Sequence, residues 1–127
     1  MVTALSFSTA PALAKNAAIA SVHSPADMPF TPAFGASLDR YRNCVLMQVD
    51  AQPLTSAAHM ASEAMTACAI VRTEVQHQLA SDIETQNPHH TQDIALTHAE
   101  GGMGIVDPMI EEAAIERAHM AFARVMI

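Results

Sequence analysis

Apolar side chains recur at intervals of three and four residues along most of the chain after residue 35, a spacing that places them on one face of an α-helix. The chain has only 4 glycines, whereas a turn-dense β-sandwich or barrel needs many. Aromatic residues make up 4% of it and alanine about a fifth, so alanine and methionine must supply much of the core. No segment approaches the roughly 18 consecutive apolar residues of a membrane-spanning helix. We therefore predict an all-α protein without a transmembrane segment.

The first two predicted helices form an antiparallel hairpin over residues 36–84. The first helix ends before Pro53, which cannot continue it. Thr55 or Ser56 can cap a second helix of about 28 residues that stops before Pro88. Because the connection is short, the two helices should be antiparallel neighbours. The side chains predicted to face the core are Leu38, Tyr41, Val45 and Val49 of the first helix and Ala61, Met65, Cys68, Val71, Val75 and Leu79 of the second.

The chain contains two cysteines, Cys44 and Cys68, one on each predicted apolar face. Their spacing is not that of a redox C-x-x-C motif, and two cysteines are too few for a structural zinc site. In the hairpin they lie at heights that differ by about one helical turn, which an extended connection can absorb. We predict a Cys44–Cys68 disulfide that links the two helices, and a pair of buried thiols is the alternative.

Residues 1–35 contain four of the 7 prolines and are predicted to form an irregular arm. The segment Ala12-Leu13-Ala14 has the small-x-small form of a signal-peptidase site. No Lys or Arg precedes it, so this start is either a leader or signal-peptide remnant or an alanine-rich terminus. Together with the predicted disulfide, it favours a periplasmic or secreted protein, with the cytoplasm as the alternative.

Residues 85–107 contain three of the 4 glycines and three histidines, a composition typical of a flexible connector. The Asp107-Pro108 pair then resembles a helix start, because aspartate caps a first turn and proline suits the first helical position. We therefore predict a C-terminal helix over residues 108–127. Its predicted apolar face consists of Ile110, Ala114, Ala118, Ala121 and Val125.

The net charge is −7, from 6 lysine and arginine residues against 13 aspartate and glutamate residues. This surplus disfavours nucleic acid and anionic membranes as partners. The chain has no G-x-S-x-G motif, no Gly-rich phosphate loop and no H-E-x-x-H motif, so we predict no enzymatic activity and no cofactor. Alanine- and methionine-rich faces left over after folding favour self-association or docking on a protein partner. The predicted function is a structural or protein-interaction module.

Two Glu-x-x-His pairs are candidate metal ligands, Glu74 with His77 and Glu116 with His119. Each pair lies on one face of a predicted helix, as in carboxylate-bridged metal sites inside helix bundles. Those sites also need a glutamate from each of two further helices, and the first predicted helix has none, so a solvated surface is the preferred interpretation. A wider set of imidazole and thioether donors suits copper or zinc, and a metal-binding protein of the cell envelope is the alternative function. This set comprises His59, Met60, His89, His90, His98, Met103, His119 and Met120.

Overall fold

The structure, a computed structural model, describes residues 31–126. Its helices are α1 (Pro32–Asp50), α2 (Ala57–Ala67), α3 (Ala69–Gln86) and α4 (Gln92–Met126). The described residues include no strand, which confirms the predicted all-α class. None of the described helices has the combined length and hydrophobicity that a membrane span needs. The predicted leader and most of the predicted arm lie outside the described residues.

Helix α1 begins at Pro32, inside the segment predicted to be an irregular arm. The hydroxyl oxygen of Thr31 accepts a hydrogen bond from the backbone N–H of Phe34 at 3.1 Å and so caps the first turn. Proline at the first helical position removes no helical hydrogen bond, because that N–H has no partner within the helix. The prediction was therefore wrong for residues 32–35, where Pro32 starts a helix instead of preventing one.

The second predicted helix is two helices, α2 and α3, which meet at Cys68. Ser56 caps α2 as predicted, with its hydroxyl oxygen accepting the N–H of His59 at 3.1 Å. At Cys68 the backbone has φ −102° and ψ 23°. The N–H of Cys68 is shared between the carbonyl oxygens of Ala64 and Met65, at 3.2 Å from each. A helix whose last bonds are shared in this way tightens and ends. The prediction of one uninterrupted helix was therefore wrong, and we call α2 and α3 together the second rod.

Helix α4 begins at Gln92, so the prediction of a flexible connector was wrong for residues 92–107, and the predicted start of the C-terminal helix at residue 108 was wrong as well. A short turn joins α3 to α4, and the hydroxyl oxygen of Thr91 accepts the N–H of Ile94 at 3.2 Å. The helix continues through three glycines and Pro108, although an interior glycine costs about 1 kcal/mol and an interior proline about 3 kcal/mol relative to alanine. Burial against the other helices offsets these costs, because the buried face continues on both sides of the proline. Its members are Ala95, Ala99, Met103, Val106, Ile110, Ala114 and Ala118.

Helices α1 and α4 run parallel. The hydrogen bonds between them join residues at a nearly constant sequence separation, 66 for Tyr41 with Asp107 and 67 for Asp50 with Arg117. A separation that stays constant along both helices means that they advance in the same direction.

The second rod runs antiparallel to α1, as the sequence predicted. The sequence separation of contacting residues falls along α1, from 51 for Thr31 with Asp82 to 24 for Cys44 with Cys68, as it does when two helices advance in opposite directions. Helix α4 packs against α1, α2 and α3. The described residues therefore form an up-down-up bundle of three rods.

The core combines large side chains of α1 and the second rod with alanines of α4. Leu38, Met65, Val71 and Ala121 were predicted to be buried but are only partly so, and Val125 is 69% exposed. The remaining predicted positions are confirmed for both predicted hairpin helices and for most of the C-terminal face. The confirmed core residues are Tyr41, Val45, Val49, Ala61, Cys68, Val75, Leu79, Ile110, Ala114 and Ala118.

Candidate functional site

The predicted disulfide is present and joins Cys44 of α1 to Cys68, at the break between α2 and α3. The two Cα atoms lie 6.1 Å apart, within the usual range for a disulfide, and none of the described cysteines is free. The bond links residues separated by 24 positions, and closing such a loop stabilises the fold by about 3.5 kcal/mol in the chain-entropy model. The disulfide thus fixes two helices that also line an exposed apolar groove.

This groove has a volume of about 370 Å³ and lies between α1 and α3. Its apolar lining comes from Cys44, Met47 and Val71. Met47 is 69% exposed, and Ile70, the residue before Val71, is 79% exposed. Apolar side chains surrounded by polar ones are the composition of a protein-contact surface. The polar side chains that complete the lining are Arg40, Asn43 and Gln48.

A polar cluster joins all three rods and consists of Tyr41, Arg72 and Asp107. The Nε atom of Arg72 lies 3.1 and 2.9 Å from the two carboxylate oxygens of Asp107, and its Nη2 donates to Oδ2 at 2.7 Å. The Tyr41 hydroxyl donates to Oδ1 of the same carboxylate at 2.9 Å. Burial and then this hydrogen bond raise the pKa of Tyr41 above its ordinary value, and the bond to Asp107 raises the pKa of Arg72.

The sequence does not predict this cluster, because the Asp107-Pro108 pair indicates a helix cap. Asp107 instead lies in the interior of α4, and its side chain binds donors from α3 and α1. An Asp-Pro pair carries the same local signal in both settings, and only the packing of three helices brings Arg72 to it.

Two further carboxylates connect helices. Asp82 is 8% exposed and accepts hydrogen bonds from the Thr31 hydroxyl at 2.7 Å and the Gln78 side-chain amide at 3.1 Å. Asp50 accepts hydrogen bonds from Nε and Nη2 of Arg117 at 3.0 and 2.7 Å, and these bonds lower the pKa of Asp50. Both carboxylates therefore hold the start or the end of α1 against another helix.

The residues of the two Glu-x-x-His pairs are not gathered around a common position. The Glu74 side chain is 53% exposed and lies 3.8 Å from an arginine of α1, and Glu116 and His119 are exposed on α4. His77 lines a separate groove of about 250 Å³ between α3 and α4, together with Glu84. Within residues 31–126, no group of three or more His, Cys, Asp and Glu side chains is arranged to hold a metal ion.

The wider donor set is divided between the core and the surface. Met60 and Met103 have 0% exposure, so their thioethers fill the core. His59, His119 and Met120 are exposed. The accessible donors of this set are therefore the histidines and Met120, and not the two buried methionines.

Two of these histidines form a pair at the turn between α3 and α4. The ring centroids of His90, in the turn, and His98, on α4, are 5.3 Å apart, and the ring planes meet at 82°. Nδ1 of His90 is buried without a hydrogen-bond partner, the one such side-chain nitrogen or oxygen among the described residues. The sequence predicts both histidines as donors but not their pairing, because its composition there is typical of a flexible connector.

No protein-family model, curated protein or solved structure gives a significant match to this chain. Its function is therefore inferred from the groove, the interhelical carboxylates and the histidine pair. The carboxylates already bind donors within the fold, whereas the groove presents contact area to solvent.

Proposed function

We propose that this protein is a non-enzymatic binding module of the periplasm or the extracellular space, and that its groove between α1 and α3 binds an amphipathic helix of a partner protein. One observation carries the proposal: the groove is braced by a disulfide and has an exposed apolar lining, in which Met47 is 69% exposed, while Ile70, next to the lining residue Val71, is 79% exposed. Apolar side chains of this size in one exposed region are a feature of protein contact sites.

The shape of the groove supports a helical ligand. Two antiparallel helices leave a furrow between them, and a third helix packs into such a furrow through apolar residues spaced by three and four positions. The Asn43 and Gln48 amides in the lining can hydrogen-bond to polar side chains of the ligand, while Arg40 and Glu74 offer one charge of each sign.

The disulfide supports a binding role because it reduces the cost of association. Cys44 is part of the groove lining, and its bond to Cys68 keeps α1 at a fixed distance from the second rod. A surface held in its bound shape loses less conformational freedom on binding.

The charge of the chain favours a basic partner over a second copy. The net charge of −7 makes two copies repel each other at neutral pH, whereas a helix with lysine or arginine on its polar face is attracted. We therefore assign the groove to a partner helix with an apolar stripe and a net positive charge.

The carboxylate clusters support a role without catalysis. Asp107, Asp82 and Asp50 each accept hydrogen bonds from donors on other helices, so their oxygens stabilise the fold rather than face a substrate cavity. The location we propose rests on the disulfide, because such bonds persist in oxidising compartments.

Selection of helical peptides tests the proposal. A displayed library of amphipathic helices is panned on the full chain with its disulfide intact, and the selected peptides are titrated against variants. We expect the selected peptides to carry apolar residues at i and i+4 and a net positive charge, and to bind at least tenfold more weakly to Met47→Glu and to Val71→Glu, the variants of two lining residues. Met109→Glu is the matched control, because Met109 is 51% exposed on α4 and is not part of the groove.

Absence of any enriched peptide would contradict the proposal, as would equal weakening by Met109→Glu. If the groove instead binds a second copy, sedimentation equilibrium will show a dimer that Met47→Glu dissociates, and the assignment to a partner helix will be wrong.

A further inference from the structure

We propose that His90 and His98 bind a tetrahedral divalent metal ion, for which Zn²⁺ is the best match, at the turn between α3 and α4. This site is independent of the groove, because none of its residues lines the groove. It is also distinct from the two Glu-x-x-His pairs.

The distance between the rings fits two ligands of one ion. A tetrahedral zinc ion lies about 2.1 Å from an imidazole nitrogen and hence about 3.2 Å from the ring centroid, so two such rings have centroids about 5.2 Å apart. The observed distance between the His90 and His98 centroids is 5.3 Å. A square-planar ion with ligands at right angles would bring the centroids to about 4.5 Å. The spacing agrees with tetrahedral rather than square-planar coordination by both rings, and it is also the spacing of an edge-to-face contact between two rings, so the metal assignment needs a second observation.

The unpartnered nitrogen of His90 supports the same assignment. Nδ1 is buried and makes no hydrogen bond, and burial of such a group without a partner is unfavourable. An edge-to-face contact between the two rings alone would leave Nδ1 without a partner, whereas a metal ion bound there would provide one. Neutral imidazole is a common zinc ligand in proteins.

The surroundings of His98 leave room for the remaining ligands. His98 is exposed and lines an open groove of about 280 Å³ together with Asp93. Water can reach this groove and occupy the coordination positions that the two imidazoles leave free. Two protein ligands are fewer than the three of a catalytic zinc site or the four of a structural one, so we expect binding that is weaker than in either class and readily exchangeable. Its effect on the protein would be to tie the turn that holds His90 to α4.

Titration of the full chain with zinc chloride tests the proposal. By isothermal titration calorimetry and native mass spectrometry we expect one Zn²⁺ per chain, with binding at least tenfold weaker for His90→Ala and for His98→Ala. His77→Ala and His119→Ala are the controls and should bind as the original chain does. Circular dichroism without metal establishes that each variant is folded.

Nuclear magnetic resonance gives a readout that does not depend on a variant. In ¹⁵N-labelled protein, Zn²⁺ should shift the Nδ1 resonance of His90 and one ring nitrogen of His98 while leaving the His119 ring unchanged. The proposal is overturned if these resonances do not move at millimolar Zn²⁺. It is also overturned if binding depends on His77 or His119 as strongly as on the pair.

Discussion

Arg72 of α3 donates hydrogen bonds to both carboxylate oxygens of Asp107, the residue immediately before Pro108 in α4, at distances from 2.7 to 3.1 Å. Pro108 cannot donate the backbone hydrogen bond that the carbonyl of Gly104 would otherwise accept. The salt bridge between α3 and α4 therefore lies next to the residue at which α4 lacks a backbone hydrogen bond. Together with the buried face of α4, this arrangement explains how a helix with three glycines and an internal proline stays continuous.

Replacement of Asp107 tests this explanation. Asp107→Asn removes the charge and weakens the bonds to Arg72 and Tyr41, and we expect a loss of about 1–2 kcal/mol in the free energy of unfolding because the cluster is only partly exposed. Urea denaturation with the disulfide intact measures the loss. Glu111→Gln, on the exposed side of the same helix, should change stability by only a few tenths of a kcal/mol. Equal effects of the two substitutions would contradict a structural role for the cluster.

Replacement of Pro108 distinguishes a continuous α4 from a helix that starts at this residue. Pro108→Ala restores a backbone donor inside α4, which stabilises the folded state, but it also gives the unfolded chain more conformational freedom. We expect the first effect to be larger, with a net gain of about 1–2 kcal/mol in the free energy of unfolding. Pro32→Ala is the control, because proline at the start of α1 costs no hydrogen bond, and it should be neutral or slightly destabilising. Thermal unfolding followed by circular dichroism measures both. If Pro108→Ala resembles Pro32→Ala, a helix start at residue 108 is favoured.

Much of the hairpin could be predicted because its signals are local. The spacing of Tyr41, Val45 and Val49 defines the buried face of α1, and the Ser56 hydroxyl caps α2. The start of α4 could not be predicted in this way. Its glycines and Pro108 have low helix propensity, and the burial that overrides this propensity depends on residues far away in the sequence.

The groove could not be predicted from the sequence either. Val71 lies on the same apolar stripe as Val75, yet Val75 is fully buried while Val71 lines the groove. An amphipathic pattern indicates which face is apolar, but the side of the hairpin on which α4 packs decides which part of that face is covered. The disulfide could be predicted because both cysteines lie on apolar stripes of neighbouring helices.

Charged substitutions at these two valines test the division between core and groove. Val75→Asp buries a carboxylate at a position with 0% exposure and should destabilise the fold by several kcal/mol. Val71→Asp places the same group in the open groove, so we expect a loss of about 1 kcal/mol or less in the free energy of unfolding. Urea denaturation measures the loss in the free energy of unfolding for each variant, and equal losses would mean that Val71 belongs to the core.

Reduction of the disulfide should lower stability substantially. The loop closed by Cys44 and Cys68 corresponds to about 3.5 kcal/mol in the chain-entropy model, a large part of the total for a small domain. We expect no titratable thiol in protein unfolded without reductant, and a clearly lower melting temperature after reduction. The double variant Cys44→Ala with Cys68→Ala should melt like the reduced protein and not respond to reductant. Two thiols in freshly isolated, unreduced protein would show that the bond does not form.

Acid should weaken the link between α1 and α4 in a defined pH range. Hydrogen bonds from Arg117 lower the pKa of Asp50 in the folded protein, whereas the unfolded chain has the ordinary carboxyl value of about 3.9. The unfolded state therefore binds a proton first as the pH falls. The contribution of the pair is complete above that ordinary value and is lost as the pH drops through the lowered pKa of the folded state.

The variant Arg117→Gln isolates this contribution. Between pH 7 and 5 we expect it to be less stable than the original chain by a small constant amount, and below about pH 4 the difference should shrink. The amount is small because the Asp50 and Arg117 side chains are 40% and 38% exposed, so water and salt screen the pair. Arg42→Gln, at an exposed arginine of α1, should show no such convergence. Urea midpoints at pH 7, 5 and 2.5 measure this difference in stability between the two proteins. If the difference is as large at pH 2.5 as at pH 7, Arg117 links α1 and α4 through packing rather than through the Asp50 carboxylate.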